Sequence, residues 1–234
     1  MISSDVLFDS YNSRTDLGLI FTHAEKNPPE THTEYAEVPG RGPVDLSELV
    51  AGEPWYLTRE LVIEFEYTGT GWAAKLREIF GKLHGKKMRI VFQDDPQWYF
   101  TGRCAVEYEV NMSTLHFVIT VTADPFRHFV DQTPTTFSGA GTITNPTLFS
   151  SRPLIRVNGS GTGTVTIGNQ IITLNSIDGY VDIDSELMDC YKGLVNCNAN
   201  VVLDEFPTLP PGATGISFTG GVTSVAITGR WRTL

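Results

Sequence analysis

The run DIDSELMD gathers Asp182, Asp184, Glu186 and Asp189, and closely spaced carboxylates are the raw material of a calcium loop. An EF-hand loop wants oxygen ligands at alternate positions, a glycine at the sixth place and a bidentate glutamate at the twelfth. Counted from Asp182, those places hold Leu187 and Gly193, so the spacing fails. As a strand, the run turns Tyr180, Asp182 and Asp184 one way and Val181 and Ile183 the other. The expectation is a solvated strand face.

Other candidates thin out on the same test. Asp94 and Asp95 could act as an acid/base pair, but they are adjacent and followed by Pro96, which reads as a hairpin turn. His23, His32, His84, His116 and His128 are scattered, with no HxH or HxxxH spacing to seat a metal. No GxSxG elbow raises a nucleophile. GSGTGTVTIG is glycine-rich, yet it runs into a strand pattern, and a phosphate cradle normally opens a helix. Trp98, Tyr99 and Phe100 could stack a sugar or a base, but such clusters are more often cross-strand core pairs. No catalytic, cofactor-binding or metal-binding residue is therefore assigned; no cofactor is expected, and no enzyme.

Cys104, Cys190 and Cys197 are an odd number without a CxxC pair, which argues against a disulfide framework and a structural zinc site. Cys190 and Cys197 could pair, although buried free thiols are the first expectation. The formal net charge of -10 disfavours phosphate backbones and anionic membranes. MISSDVLFDS has neither the basic nor the apolar region of a signal peptide. No stretch reaches the roughly 18 apolar residues of a membrane helix. Synthesis in a cytoplasm is the expectation.

The elements that would position these groups are mostly strands. YLTRELVIEFEY puts Leu57, Leu61, Ile63 and Phe65 on one side and Glu60, Glu64 and Glu66 on the other. Arg59 falls on the apolar side, so a bulge turns it out or the strand leaves the core there. RIVFQDDPQWYFTGRCAVEYEV reads as strand, turn, strand, and TLHFVITVTAD as a strand with one buried face. One helix is expected. GWAAKLREIFGKLHGKK aligns Trp72, Leu76, Ile79, Phe80 and Leu83 in one apolar stripe, with Glu78 and Lys82 as an i,i+4 pair and Gly85 as a stop.

From Gln132 to Pro146 the chain is polar and small, and beyond it only short strands separated by turns are expected. TIGNQIITL reads as a hairpin through Gly168-Asn169. In the last stretch, GISFTGGVTSVAITG reads as a second hairpin through Gly220-Gly221. The fold class is mainly β with one helix: an α+β domain over 1–130, a linker over 131–145 and a β-sandwich over 146–234.

Four stretches together resemble one family, the distal tail proteins (Dit) of long-tailed bacteriophages. They are FDSYNSRTDLGLIF, EVPGRGPVDLSELVAGEPWYLTRELVIEF, RIVFQDDPQWYFTGRCAVEYEV with ITVTADPFRH after it, and FPTLPPGATGISFTGGVTSVAITGRWRTL. The resemblance implies a homo-hexamer in which the N-terminal domain forms a ring around a channel and a galectin-like sandwich lies outside. It implies a virion protein at the distal tip of the tail, between the major tail (tube) protein and the tail-associated fibre or lysin protein, with receptor-binding proteins as further partners. DNA would pass through without specific binding, and no membrane is involved. A second reading is a lectin-like adhesin for cell-wall carbohydrate. It would need an exposed aromatic platform. The sandwich has only Trp231, which by alternation shares a face with Val225 and Ile227 and is expected to be buried.

Overall fold

The computed structural model describes residues 5–47 and 54–234. Residues 1–4, and residues 48–53 within the EVPGRGPVDLSELVAGEPWYLTRELVIEF stretch, lie outside the described residues. The chain divides into two compact units, residues 1–130 with Leu234, and residues 131–233. Strands of three residues or more are numbered in chain order.

The first unit holds β1 (Val6–Phe8), β2 (Ile20–Lys26), β3 (Arg59–Tyr67), α1 (Trp72–Leu83), β4 (Lys87–Phe92), β5 (Trp98–Asn111), β6 (Thr114–Ala123) and β7 (Arg127–Phe129). The strands pair antiparallel in the order β1-β4-β5-β6-β3-β2, with β7 beside the start of β5. Period-two alternation explains the register. Leu61, Ile63 and Phe65 of β3 lie opposite Val121, Ile119 and Phe117 of β6, and all six are buried.

Helix α1 packs on this core. Ile79 and Leu83 are buried, whereas Trp72, Leu76 and Phe80 are half-buried and pack against the cluster. The apolar stripe is thus deepest at its C-terminal end. There the chain turns into β4, and His84 Nδ1 accepts the Val106 N–H at 3.0 Å. Ile79→Ala is expected to cost about 2–5 kcal/mol, the usual price of a buried cavity, and Leu76→Ala nearer 1 kcal/mol. Urea unfolding of the two variants side by side measures the difference.

The second unit holds β8 (Thr135–Phe137), β9 (Gly141–Asn145), β10 (Leu154–Ile167), β11 (Gln170–Asp184), β12 (Asp189–Lys192) and β13 (Gly212–Thr228). The order is β8-β13-β10-β11-β12, with Val195–Asn196 beyond β12 and β9 on the other half of β13. The three long strands serve both halves of the unit. The register slips between Asn158 and Gly163 of β10, and residues from either side of the slip share one core. The bent sheet thereby covers its own apolar face.

Two expectations are corrected. Residues 131–145, read as a linker, contain β8 and β9, both paired with β13. Ile143 alone supplies a buried apolar side chain there, too little to give an alternating signal. Gly220-Gly221 is not a hairpin turn. β13 runs through it as one strand, and the two glycines lie where β13 passes the irregular stretch of β10. Gly168-Asn169 does connect β10 to β11 as a two-residue turn, with Gly168 at φ 59.

Candidate functional site

Most groups with chemical potential are engaged in holding the fold. Asp182 and Asp184, expected on a solvated face, are buried at 4% and 1% exposure. Asp182 accepts two hydrogen bonds from Arg156, at 2.7 and 2.8 Å. Asp184 accepts two from Arg230, at 2.6 and 2.9 Å, and two more from the N–H groups of Glu186 and Leu187. Burial pushes the Asp184 carboxyl up, but Arg230 and those N–H donors outweigh it and hold it below the ordinary carboxylate range. Asp189 accepts from Asn198 Nδ2 at 2.8 Å. The oxygens that a cation would need are largely committed to arginines and backbone amides.

The remaining candidates are similarly placed. In the β4–β5 turn, Asp94 pairs with Lys26 of β2 and Asp95 with Arg127 of β7, each at 2.7 Å. His23 lies 3.5 Å from Glu25, His116 lies 3.6 Å from Glu64, and His32 stacks on Trp55. Among the described residues, no group of three or more His, Cys, Asp or Glu is placed to hold a metal. Phe100 is core, while Trp98 and Tyr99 are half-buried against Phe129 and His128 of β7. Trp231 is half-buried and packs on the second unit's core. Burial pushes the Cys104 thiol up to about 11, with Asp9 adding to it.

What remains available is surface, and two features of the first unit stand out. One is an arm between β2 and β3. Thr31–His32 pairs with Trp55–Tyr56, and Tyr35–Ala36 pairs with Val44–Asp45, antiparallel in both cases. Tyr35 and Trp55 are 59% and 61% exposed. Arg59 clamps its base. Instead of bulging outward, its guanidinium is buried and donates to the carbonyls of Asn27 at 2.8 Å and of Lys26 and Pro125 at 3.4 Å. Burial lowers its pKa, and nearby Arg127 adds to this. Both ends of the arm are thereby tied to the exit of β6. Period-two reading flagged Arg59 but could not supply its partners, which are backbone oxygens of distant segments.

The other feature is the outer face of the sheet. The paired rows Glu66–His116–Glu109 and Glu64–Val118–Glu107 cross β3, β6 and β5, and exposed Glu60 continues the face along β3. The β3 side of this face is acidic, whereas exposed Lys87, Arg89 and Arg103 lie on the same face toward β4.

With this geometry in view, the chain is similar from end to end to a solved structure. It is the crystal structure of the SPP1 Dit protein, described as a paradigm of the hub adsorption apparatus in Gram-positive-infecting phages. The TM-score is 0.73, covering 99% of this chain and 99% of that one, at 14% sequence identity. The chain shares the Dit fold. No family model matches the sequence, and no curated protein matches it either. A fold like that of Dit is therefore formed here by a sequence only 14% identical to it. This fits a fold specified by alternation and turns more than by particular side chains. Within the Dit fold, β1 to β7 with α1 account for residues 1–130 and β8 to β13 for residues 131–233.

Proposed function

We propose that this protein is a structural hub at the distal end of a bacteriophage tail. Six copies would close into a ring through the first unit, with the second unit as a galectin-like outer domain. The ring would join the tail tube protein to the fibre or lysin protein below it, and a central channel would let DNA pass. The observation that carries the reading is the end-to-end likeness to the SPP1 Dit hub protein, found for a chain whose four sequence stretches point to the same family.

Three physical features support the assembly. Among the described residues β2 ends the sheet order with one edge unpaired, and covering such an edge with another subunit prevents uncontrolled pairing. The arm exposes Tyr35 and Trp55, apolar surface that gains by burial. A heterologous contact of this kind gives a finite ring if its rotation closes. The glutamate rows on β3 and β5 are then suited to the channel, where negative charge repels the DNA backbone.

The test is the mass in solution and negative-stain imaging, with and without the tail tube protein as a nucleus. A six-fold ring with a central hole is expected. A monomer that stays monomeric with the tube protein and binds peptidoglycan fragments would overturn the hub in favour of the adhesin. A ring whose lumen is basic would sink the DNA-repelling role of the glutamate face.

A further inference from the structure

We propose that Cys190 and Cys197 form a redox-responsive staple, closing as a cross-strand disulfide that locks the outer edge of the second unit's sheet. The pairing follows from register. β12 turns back into Val195–Asn196 with Tyr191 opposite Asn196 and Lys192 opposite Val195. One step along the same ladder, Cys197 N–H donates to the Cys190 carbonyl at 2.7 Å. The two cysteines are therefore directly opposed, and their side chains share one face. That face is the core: Cys190 is 2% and Cys197 8% exposed, in the same apolar cluster. The Cys190 N–H donates to Asn198 Oδ1 at 2.7 Å and not back to Cys197, but opposed residues of an antiparallel pair of either kind have Cα atoms about 4.5–5.5 Å apart, within the ~4.4–6.8 Å that a disulfide spans. Both are free thiols.

The location gives the staple something to hold. Val195–Asn196 is the last strand in the sheet order, and Leu194 and Val195 are exposed at 105% and 65%. An edge with so little apolar packing opens more easily than the core. Burial pushes the Cys190 thiol up to about 11, with Asp189 and Cys197 adding to it. The closed edge therefore keeps Cys190 protonated and slow to react, and opening of the edge is the step that admits an oxidant.

A small-molecule disulfide, RSSR, balances the chemistry. The Cys197 thiolate, the less buried of the two, attacks one sulfur of RSSR; an S–S bond forms to the protein and RS⁻ leaves. The Cys190 thiolate then attacks the Cys197 sulfur of that mixed disulfide, forming the intramolecular bond and expelling the second RS⁻. The two thiol protons end on two RSH, the protein is oxidised by two electrons and the reagent is reduced by two. Such a staple is open in a reducing compartment and closed outside one. It lies within a single unit and is independent of the hub reading.

The full-length protein is incubated with oxidised glutathione or with dithiothreitol, then analysed by intact mass, maleimide counting and peptide mapping. The expected result is loss of the mass of two hydrogens and a peptide joining Cys190 to Cys197. Cys104, in the first unit's core, stays maleimide-reactive after unfolding. Amide exchange at Tyr191–Asn196 slows several-fold in the oxidised form and recovers with dithiothreitol. Cys190→Ser should instead trap a glutathione adduct on Cys197 and show no slowing. Three thiols remaining free after oxidation, or a disulfide involving Cys104, would overturn the proposal. So would slowing that persists in Cys190→Ser.

Discussion

Gly221→Ala is expected to destabilise the second unit by about 3–5 kcal/mol, near the top of what single substitutions do. Gly215→Ala, on the same strand, is expected to stay within about 0.5 kcal/mol of the parent. A Cβ on Gly221 would sit 1.8 Å from the Ser160 carbonyl oxygen, and one on Gly159 would sit 2.2 Å from the Gly221 carbonyl oxygen. These are backbone atoms of facing strands, so no side chain can swing aside. Around Gly215 nothing lies within 4 Å. The crossing is where β10 and β13 lose register together, and it lets single strands serve both halves of the core. A methyl group there pries the two backbones apart and strains every pair on either side. Urea unfolding with amide exchange at Val157, Val165, Val225 and Ile227 reads the effect, because these buried residues flank the crossing. Equal behaviour of the two alanine variants would show that the strands do not meet there.

That crossing also marks where the sequence stops being legible. Gly220-Gly221 between two alternating runs is the same local signal whether the chain reverses or bulges. Only the register against β10 decides, and register is long-range information. The β5–β6 hairpin was legible because its period-two pattern is continuous, and α1 because its stripe is. The edge strands β8 and β9 were not legible. Asn145, which reads as linker, is 3% exposed and donates to the Phe149 and Leu209 carbonyls at 2.9 Å while accepting from Thr147. A satisfied buried polar residue looks like a loop residue until its partners are in place. Arg59 was visible as an anomaly for the same reason that it could not be explained. Of the candidate surfaces, the glutamates of β3 could be read as outward-facing from alternation. The arm rests on two-residue pairings that carry no periodic signal.

The acidic run shows the same limit. Arg156 and Arg230 lie 26 and 46 residues from the carboxylates they bind, and without them Asp182 and Asp184 read as solvated. Asp184→Asn is expected to cost about 3 kcal/mol at neutral pH, the lower end for breaking a buried ion pair, because among the described residues Arg230 keeps only Glu186, at 3.2 Å, as an anionic partner. Arg230 sits at φ 49, a left-handed conformation costing a non-glycine residue roughly 1–2 kcal/mol. Arg230→Gly would relieve that strain and still be a net loss if the pair dominates. A gain in stability would show that strain, not pairing, controls this corner. The pH dependence carries a definite sign. Asp184 has a folded-state pKa held below its ordinary value, so its contribution is present above the unfolded value of about 3.9. It is lost as pH falls from there through the lower folded value. The gap between the parent protein and Asp184→Asn should therefore be full at neutral pH and shrink below about pH 4. Chemical denaturation across that range measures it. A gap that stays constant into acid would mean that the penalty comes from packing of the asparagine and not from the lost charge.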